Sequence, residues 1–131
     1  MRKPTRAIQI DPFTYTVNEM VIDLYHLNDF YKAISLLPGE VDSDYTTLQT
    51  PWLLSQRDQM YFLRSASRLK GSHFFRLDDH PDSIFGRAII LGNNGLTTHH
   101  NISIEEVKRR VSFVVNLFDC FIERPILESV A

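Results

Sequence analysis

Three groups of residues in this 131-residue chain are able to do chemistry: five histidines, a run of carboxylates, and a segment that interleaves cations with rings. The histidines are His26, His73, His80, His99 and His100. A catalytic zinc needs three protein ligands, and a helical pair needs i, i+4 spacing as in His-Glu-x-x-His. Neither pattern occurs, and on a strand the adjacent His99 and His100 point to opposite faces. No metal site is expected. Asp78-Asp79-His80-Pro81-Asp82 gathers three carboxylates and an imidazole, an oxygen-rich set of the kind a divalent cation accepts. It lacks the spacing of a calcium loop, and aspartate beside proline is ordinary turn chemistry. Asp42 and Asp44 read the same way. There is no Gly-x-Ser-x-Gly elbow and no phosphate loop, and Gly92-Asn93-Asn94-Gly95 is too short to imitate one. No catalytic residue and no cofactor are expected. These patterns argue against an enzyme, with an unfamiliar site around residues 78–82 as the enzymatic alternative.

Residues 57–76 hold Arg57, Arg64, Arg68, Lys70 and Arg76 among Tyr61, Phe62, Phe74 and Phe75. Rings on a sheet with flanking cations stack and steer single-stranded nucleic acid. On that reading Arg64, Arg68, Lys70, Phe74 and Arg76 form a binding face for nucleic acid or a nucleotide. On the simpler reading the rings are core and the cations are solvated. The net charge of −2 argues against sequence-blind nucleic-acid binding as the main task. Charge is uneven: residues 57–110 carry 9 basic and 6 acidic groups, while residues 1–56 carry 4 and 7. Lys108-Arg109-Arg110 suits the negative end of a helix and needs no ligand.

The elements that would position these groups follow from length and periodicity. One domain over residues 1–131 is expected, with 1–5 and 119–131 peripheral. An apolar fraction of 44% suffices for a core without disulfides. Cys120 is the single cysteine, and its neighbours Phe118, Phe121 and Ile122 suggest a small buried hydrophobe. An unpaired cysteine fits a reducing cytoplasm. The opening Met-Arg-Lys-Pro-Thr-Arg has no apolar run after it, so no signal peptide is expected. No stretch approaches the roughly 18 apolar residues of a membrane span.

Residues 6–10 read as a strand, punctuated by Asp11-Pro12. In residues 13–22, Phe13, Tyr15 and Val17 alternate with Thr14, Thr16 and Asn18, so the two runs predict a hairpin around Asp11-Pro12. Asn28 or Asp29 can cap a helix that presents Phe30, Ala33, Ile34 and Leu37, stopped by Pro38-Gly39. Residues 40–50 read as a loop or weak strand. Trp52-Leu53-Leu54 and residues 60–63 are short apolar runs, the second the better strand, followed by a polar connection over 64–72. Residues 74–77 and 84–91 read as strands, the latter the most apolar, with Gly86 marking a bulge or close approach. Gly92-Asn93-Asn94-Gly95 predicts a tight reversal. Ser103 and Glu106 form a capping box for a helix over 104–110. The alternation of Val111, Phe113, Val115 and Leu117 favours a strand after it over a continued helix.

Ile10-Asp11-Pro12-Phe13, the following strand and short helix, His80-Pro81, Gly86-Arg87-Ala88-Ile89-Ile90-Leu91-Gly92, and the Ser103 helix ending in Val111-Ser112-Phe113 occur in a telling order. Over roughly residues 6–115 the chain resembles a family of small phage- and plasmid-borne proteins known as a domain of unknown function. It departs from them at residues 64–70, where many relatives carry an acidic, glycine-containing turn. The resemblance implies a mobile-element origin and a compact α+β fold, and it supplies no catalytic residue. The expected fold is α+β, with a mixed or antiparallel sheet of about five to six strands and two short helices. The expected function is a non-enzymatic accessory protein that binds a host or viral protein in the cytoplasm. The alternative is the nucleic-acid or nucleotide binder built on residues 57–76.

Overall fold

The computed structural model describes residues 4–23, 27–34, 45–49, 58–63, 73–78, 80, 83–92 and 99–128; of residues 27, 45–49 and 63 it describes the backbone. Residues 35–44, 50–57, 64–72 and 93–98 lie outside that set. With them go Leu37, Pro38-Gly39, Asp42, Asp44, Trp52-Leu53-Leu54, Arg64, Arg68, Lys70 and most of the reversal at Gly92-Asn93-Asn94-Gly95.

The fold is α+β, and every strand pairing is antiparallel. Among the described residues there are nine strands in two sheets, more than the five to six expected of one sheet. β1 (Pro4–Asp11) and β2 (Thr16–Asp23) form the expected hairpin, with Ile10 opposite Val17 and Ile8 opposite Glu19. The strand after the reversal starts later than the alternation suggests. Asp11 Oδ1 accepts the backbone N–H groups of Phe13 at 2.9 Å and Thr14 at 3.4 Å, holding residues 12–15 as a turn. Phe13 and Tyr15 therefore belong to that turn, and Tyr15 has φ 58°. Pro4 and Thr5 are part of β1 and Thr5 is buried, so the sheet reaches into the stretch expected to be peripheral.

α1 (Leu27–Ala33) buries Phe30, Ala33 and Ile34, the face that its spacing predicts. The helix begins one to two residues early, so Asn28 and Asp29 sit in its first turn, where Asp29 complements the helix dipole. β3 (Tyr45–Gln49) pairs with β4 (Asp58–Leu63). β4 pairs with β7 (Ala88–Gly92), and β7 with β1, giving a five-stranded sheet in the order β2-β1-β7-β4-β3. β5 (His73–Leu77), β6 (Ile84–Phe85), β8 (Val111–Leu117) and β9 (Cys120–Arg124) form a second sheet in the order β6-β5-β8-β9.

Both faces of the five-stranded sheet are covered. Ile8, Ile10, Val17, Met60, Ala88 and Ile90 pack against Phe75, Leu77, Val111 and Phe113 of the second sheet. Ala7, Ile22, Tyr61, Ile89 and Leu91 pack against Phe30, Ala33 and Ile34 of α1. β7 thus sends alternate side chains into two cores, and all five of its residues are buried. That placement explains its unbroken apolar run, since no face of it meets water.

The run over residues 84–91 is not one strand. It breaks at Gly86, which has φ 90°, so β6 pairs with β5 in one sheet and β7 lies central in the other. A side chain at that φ carries a steric penalty that glycine escapes. α2 (Ile104–Arg110) has the expected cap: Ser103 is extended, at φ −78° and ψ 154°, and its Oγ accepts the Glu106 N–H at 3.2 Å. Glu106 is then drawn to Arg109 and Arg110 on the same helix face. The helix gives way at Val111 to the strand favoured by alternation.

Gly86→Val is expected to destabilise the chain by more than about 1 kcal/mol despite valine's strand propensity, because strain at positive φ outweighs it. A denaturation midpoint raised by the substitution contradicts the sheet-switch role. Ser103→Ala is expected to cost about 1 kcal/mol through the lost cap. Its thermal melt should fall below that of the parent protein, and coincident melts refute the cap.

Candidate interaction surface

The residues singled out for nucleic-acid stacking do not form an open platform where they are described. Phe74 on β5 is buried, with Phe85 at 4.9 Å and Phe121 at 6.1 Å between ring centroids. No base can stack on a ring so covered, which corrects the role assigned to Phe74. Arg76 is exposed; its guanidinium lies 5.4 Å from the Phe74 centroid and its Nε reaches Ser83 Oγ at 3.4 Å. Arg64, Arg68 and Lys70 lie outside the described residues.

His73, His99 and His100 serve connections within the fold. The Arg6 N–H donates to His99 Nδ1 at 2.9 Å, and the His100 N–H donates to the Arg6 carbonyl at 3.0 Å. These two histidines take up the edge of β1 beyond its last pair with β7, Ile8–Ile90. His100 Nε2 lies 2.6 Å from Glu19 Oε2 and its Nδ1 lies 2.8 Å from the Ile102 carbonyl. His73 stacks loosely with Phe13 and Tyr15, at 5.7 and 6.0 Å. His26, Asp79 and Asp82 lie outside the described residues. Among the described residues no three metal-ligating side chains cluster, and no helix is long and apolar enough to cross a membrane.

Sequence reading gave no role to Asp58, and the fold gives it one. At the start of β4 it is buried, and its carboxylate accepts the N–H of Asn101 at 2.6 Å and of Ile102 at 2.9 Å. Charge-assisted acceptance of two successive backbone donors fixes the approach to the Ser103 cap. Nothing in the local pattern around Asp58 signals this, because its partners are 43 and 44 residues away.

A row of cations and rings crosses the seam between the 12–15 turn and the second sheet. Arg87 lies 5.6 Å from the Phe13 centroid, and Arg124 lies 5.4 Å from that of Tyr15. His73 stands between the two rings. Tyr15 also meets Phe113 edge-on at 6.2 Å, which ties the row to the core. The Arg87 Nε and Nη2 atoms are buried without a hydrogen-bond partner, so the Phe13 ring is the interaction that this guanidinium makes.

The largest departure from expectation is at the end of the chain. β8 and β9 are joined by two residues, Phe118 and Asp119, with φ 52° and 64°. Two successive positive φ values define a type I′ hairpin, which prefers Asn-Gly. Phenylalanine in the left-handed region costs on the order of 1–3 kcal/mol. Asp119 tolerates the left-handed region, but with phenylalanine before it and neither glycine nor asparagine present, the turn leaves only a faint signal in the sequence. All five β9 residues are exposed, Cys120 among them, which corrects the expectation that this cysteine is buried. Phe118 is 99% exposed, and Leu117, Phe121 and Ile122 are exposed with it. The hairpin tip is therefore apolar on both faces. At its base, residues 111–113 of β8 and 123–126 line a cavity of about 350 Å³. The following chain returns to the body: the Leu127 N–H donates to the Tyr15 carbonyl at 2.7 Å, and Lys108 meets Glu128 at 3.2 Å.

Comparison with protein-family models, with curated proteins and with solved structures finds no match in any of the three.

Asp58→Ala is expected to destabilise the protein by about 2 kcal/mol, since it strands two N–H groups, that of Ile102 buried. Chemical denaturation measures this, and an unchanged midpoint refutes the clamp.

Proposed function

We propose that this chain is a non-enzymatic accessory protein of a phage or plasmid that acts in the cytoplasm by binding another protein, of host or viral origin. The observation that carries the binding role is the β8–β9 hairpin. Its tip exposes Leu117, Phe118, Phe121 and Ile122 together. Contiguous exposed apolar surface of this size marks interaction sites. Phe118 holds the left-handed conformation that the two-residue turn between β8 and β9 requires, and its ring finds no cover within the chain. The resemblance in residues 6–115 supports the mobile-element origin.

A second reading, nucleic-acid or nucleotide binding, draws support from the row Arg87, Phe13, His73, Tyr15 and Arg124, where cations alternate with rings. Steep salt dependence of oligonucleotide binding, lost in Arg124→Ala, is its signature.

Affinity capture with the full chain should retain one or more proteins that Phe118→Ser releases, while both forms melt alike, because Phe118 packs on nothing within the chain. Identical capture by the two forms contradicts the hairpin as the docking element.

A further inference from the structure

We propose that the hairpin docks on a second copy of this chain, through antiparallel pairing of the two β9 edges about a two-fold axis centred on Ile122. The proposal rests on the hairpin's being the docking element and adds the identity of its occupant. Three observations lead to it: which backbone groups β9 leaves open, where the charges fall, and where the cavity lies.

β9 ends its sheet among the described residues. Leu117 and Cys120 are the pair that closes the two-residue turn, so Cys120, Ile122 and Arg124 direct their peptide groups toward β8. Phe121 and Glu123 direct theirs outward, two N–H and two C=O groups in all. Pro125 follows at the next outward position and has no N–H to offer, so the open edge stops there. β9 itself contains neither proline nor lysine, the residues that commonly blunt an edge.

Two copies can satisfy all these groups in one register. With Ile122 opposite the other copy's Ile122, Phe121 and Glu123 of each chain exchange hydrogen bonds with Glu123 and Phe121 of the other. No like charges then stand opposite one another. The acidic tip, Asp119, comes level with the other copy's Pro125, beside its Arg124. Centring instead on Phe121 would set Glu123 opposite the other copy's Asp119, a destabilising pair.

The same register brings Phe118 level with the other copy's Ile126. Ile126 is one of the residues that line the cavity of about 350 Å³ at the base of the hairpin. Each chain therefore carries a projecting ring and, eight residues further along (118 to 126), a recess at the level where the ring of a second copy arrives.

Leu117, Phe118, Phe121 and Ile122 are 48%, 99%, 61% and 41% exposed. At roughly 200 Å² for a large apolar side chain this is on the order of 500 Å² per copy. Pairing along the β9 edge covers the flanks of Phe118, Phe121 and Ile122, while Leu117 lies on β8, one strand away from the axis.

Sedimentation velocity of the full chain over a concentration series tests the proposal, with position 122 as the probe of register. The parent protein should approach twice the 15.2 kDa monomer mass. Ile122→Lys and Ile122→Glu should each be monomeric, because each sets like charges against one another across the axis. Mixed in equal amounts they should form a heterodimer. Glu123→Pro removes one outward N–H without touching the β8 ladder, and should weaken association at least about tenfold. Phe118→Ser should weaken it as well. A parent protein that stays monomeric overturns self-pairing while leaving hairpin-dependent capture of another protein to stand or fall on its own measurement. A dimer that survives Glu123→Pro, or charge variants that fail to pair when mixed, overturn this register.

Discussion

The architecture depends on one backbone constraint, the positive φ of Gly86. It allows a single apolar run to leave the second sheet after Phe85 and enter the centre of the five-stranded sheet at Ala88. With ordinary strand angles at residue 86, the chain would continue straight and both ends of the run would lie in one sheet. The two sheets could not then share the core in which Ile84, Ala88 and Ile90 meet Phe75 and Phe113. The glycine has no packing value of its own. What it contributes is a direction, and that direction sets which sheet each half of the run joins.

A second, polar constraint holds the other crossing between sheets. The chain passes from the five-stranded sheet to α2 and β8 through residues 99–103. Asp58 draws in the N–H groups of Asn101 and Ile102, and His100 bridges Glu19 and the Ile102 carbonyl. Asp58 ties this segment to β4 and Glu19 ties it to β2, while the contact between His100 and Ile102 braces the segment itself. The Ser103 cap that follows is local, yet it starts where it does because the residues before it are pinned. Capping chemistry and tertiary hydrogen bonding thus agree on one helix start.

The hairpin of β8 and β9 obeys neither constraint. Past the pairing of Val115 with Ile122 it projects from the body and packs little of its apolar surface within the chain. Burial is the usual return for a Phe-Asp-Cys-Phe-Ile run, and within the chain this one receives little of it. The cation and ring row near Tyr15 lies at the root of this hairpin through Arg124, so the two surface features share a strand.

Local pattern determined a good part of this protein. The β1–β2 hairpin, the buried face of α1, the Ser103 cap, the change to strand at Val111 and the special role of Gly86 each rest on residues close in sequence. Their causes, such as periodicity, capping and backbone sterics, act over a few positions, so they are legible there. The tertiary structure alone decided the rest. A run apolar at every position does not say whether it feeds one core or two; residues 84–91 proved to be two strands in different sheets. Asp58 acquires its role from donors 43 and 44 residues away. The rings of residues 57–76 were ambiguous between core and binding face, and for Phe74 packing by Phe85 and Phe121 settles it as core. Cys120 and its apolar neighbours read as buried because hydrophobic sequence ordinarily is. They are exposed because the turn at Phe118 and Asp119 carries them past the end of the sheet. Burial depends on what the rest of the chain brings alongside, and that information is distributed over the whole fold.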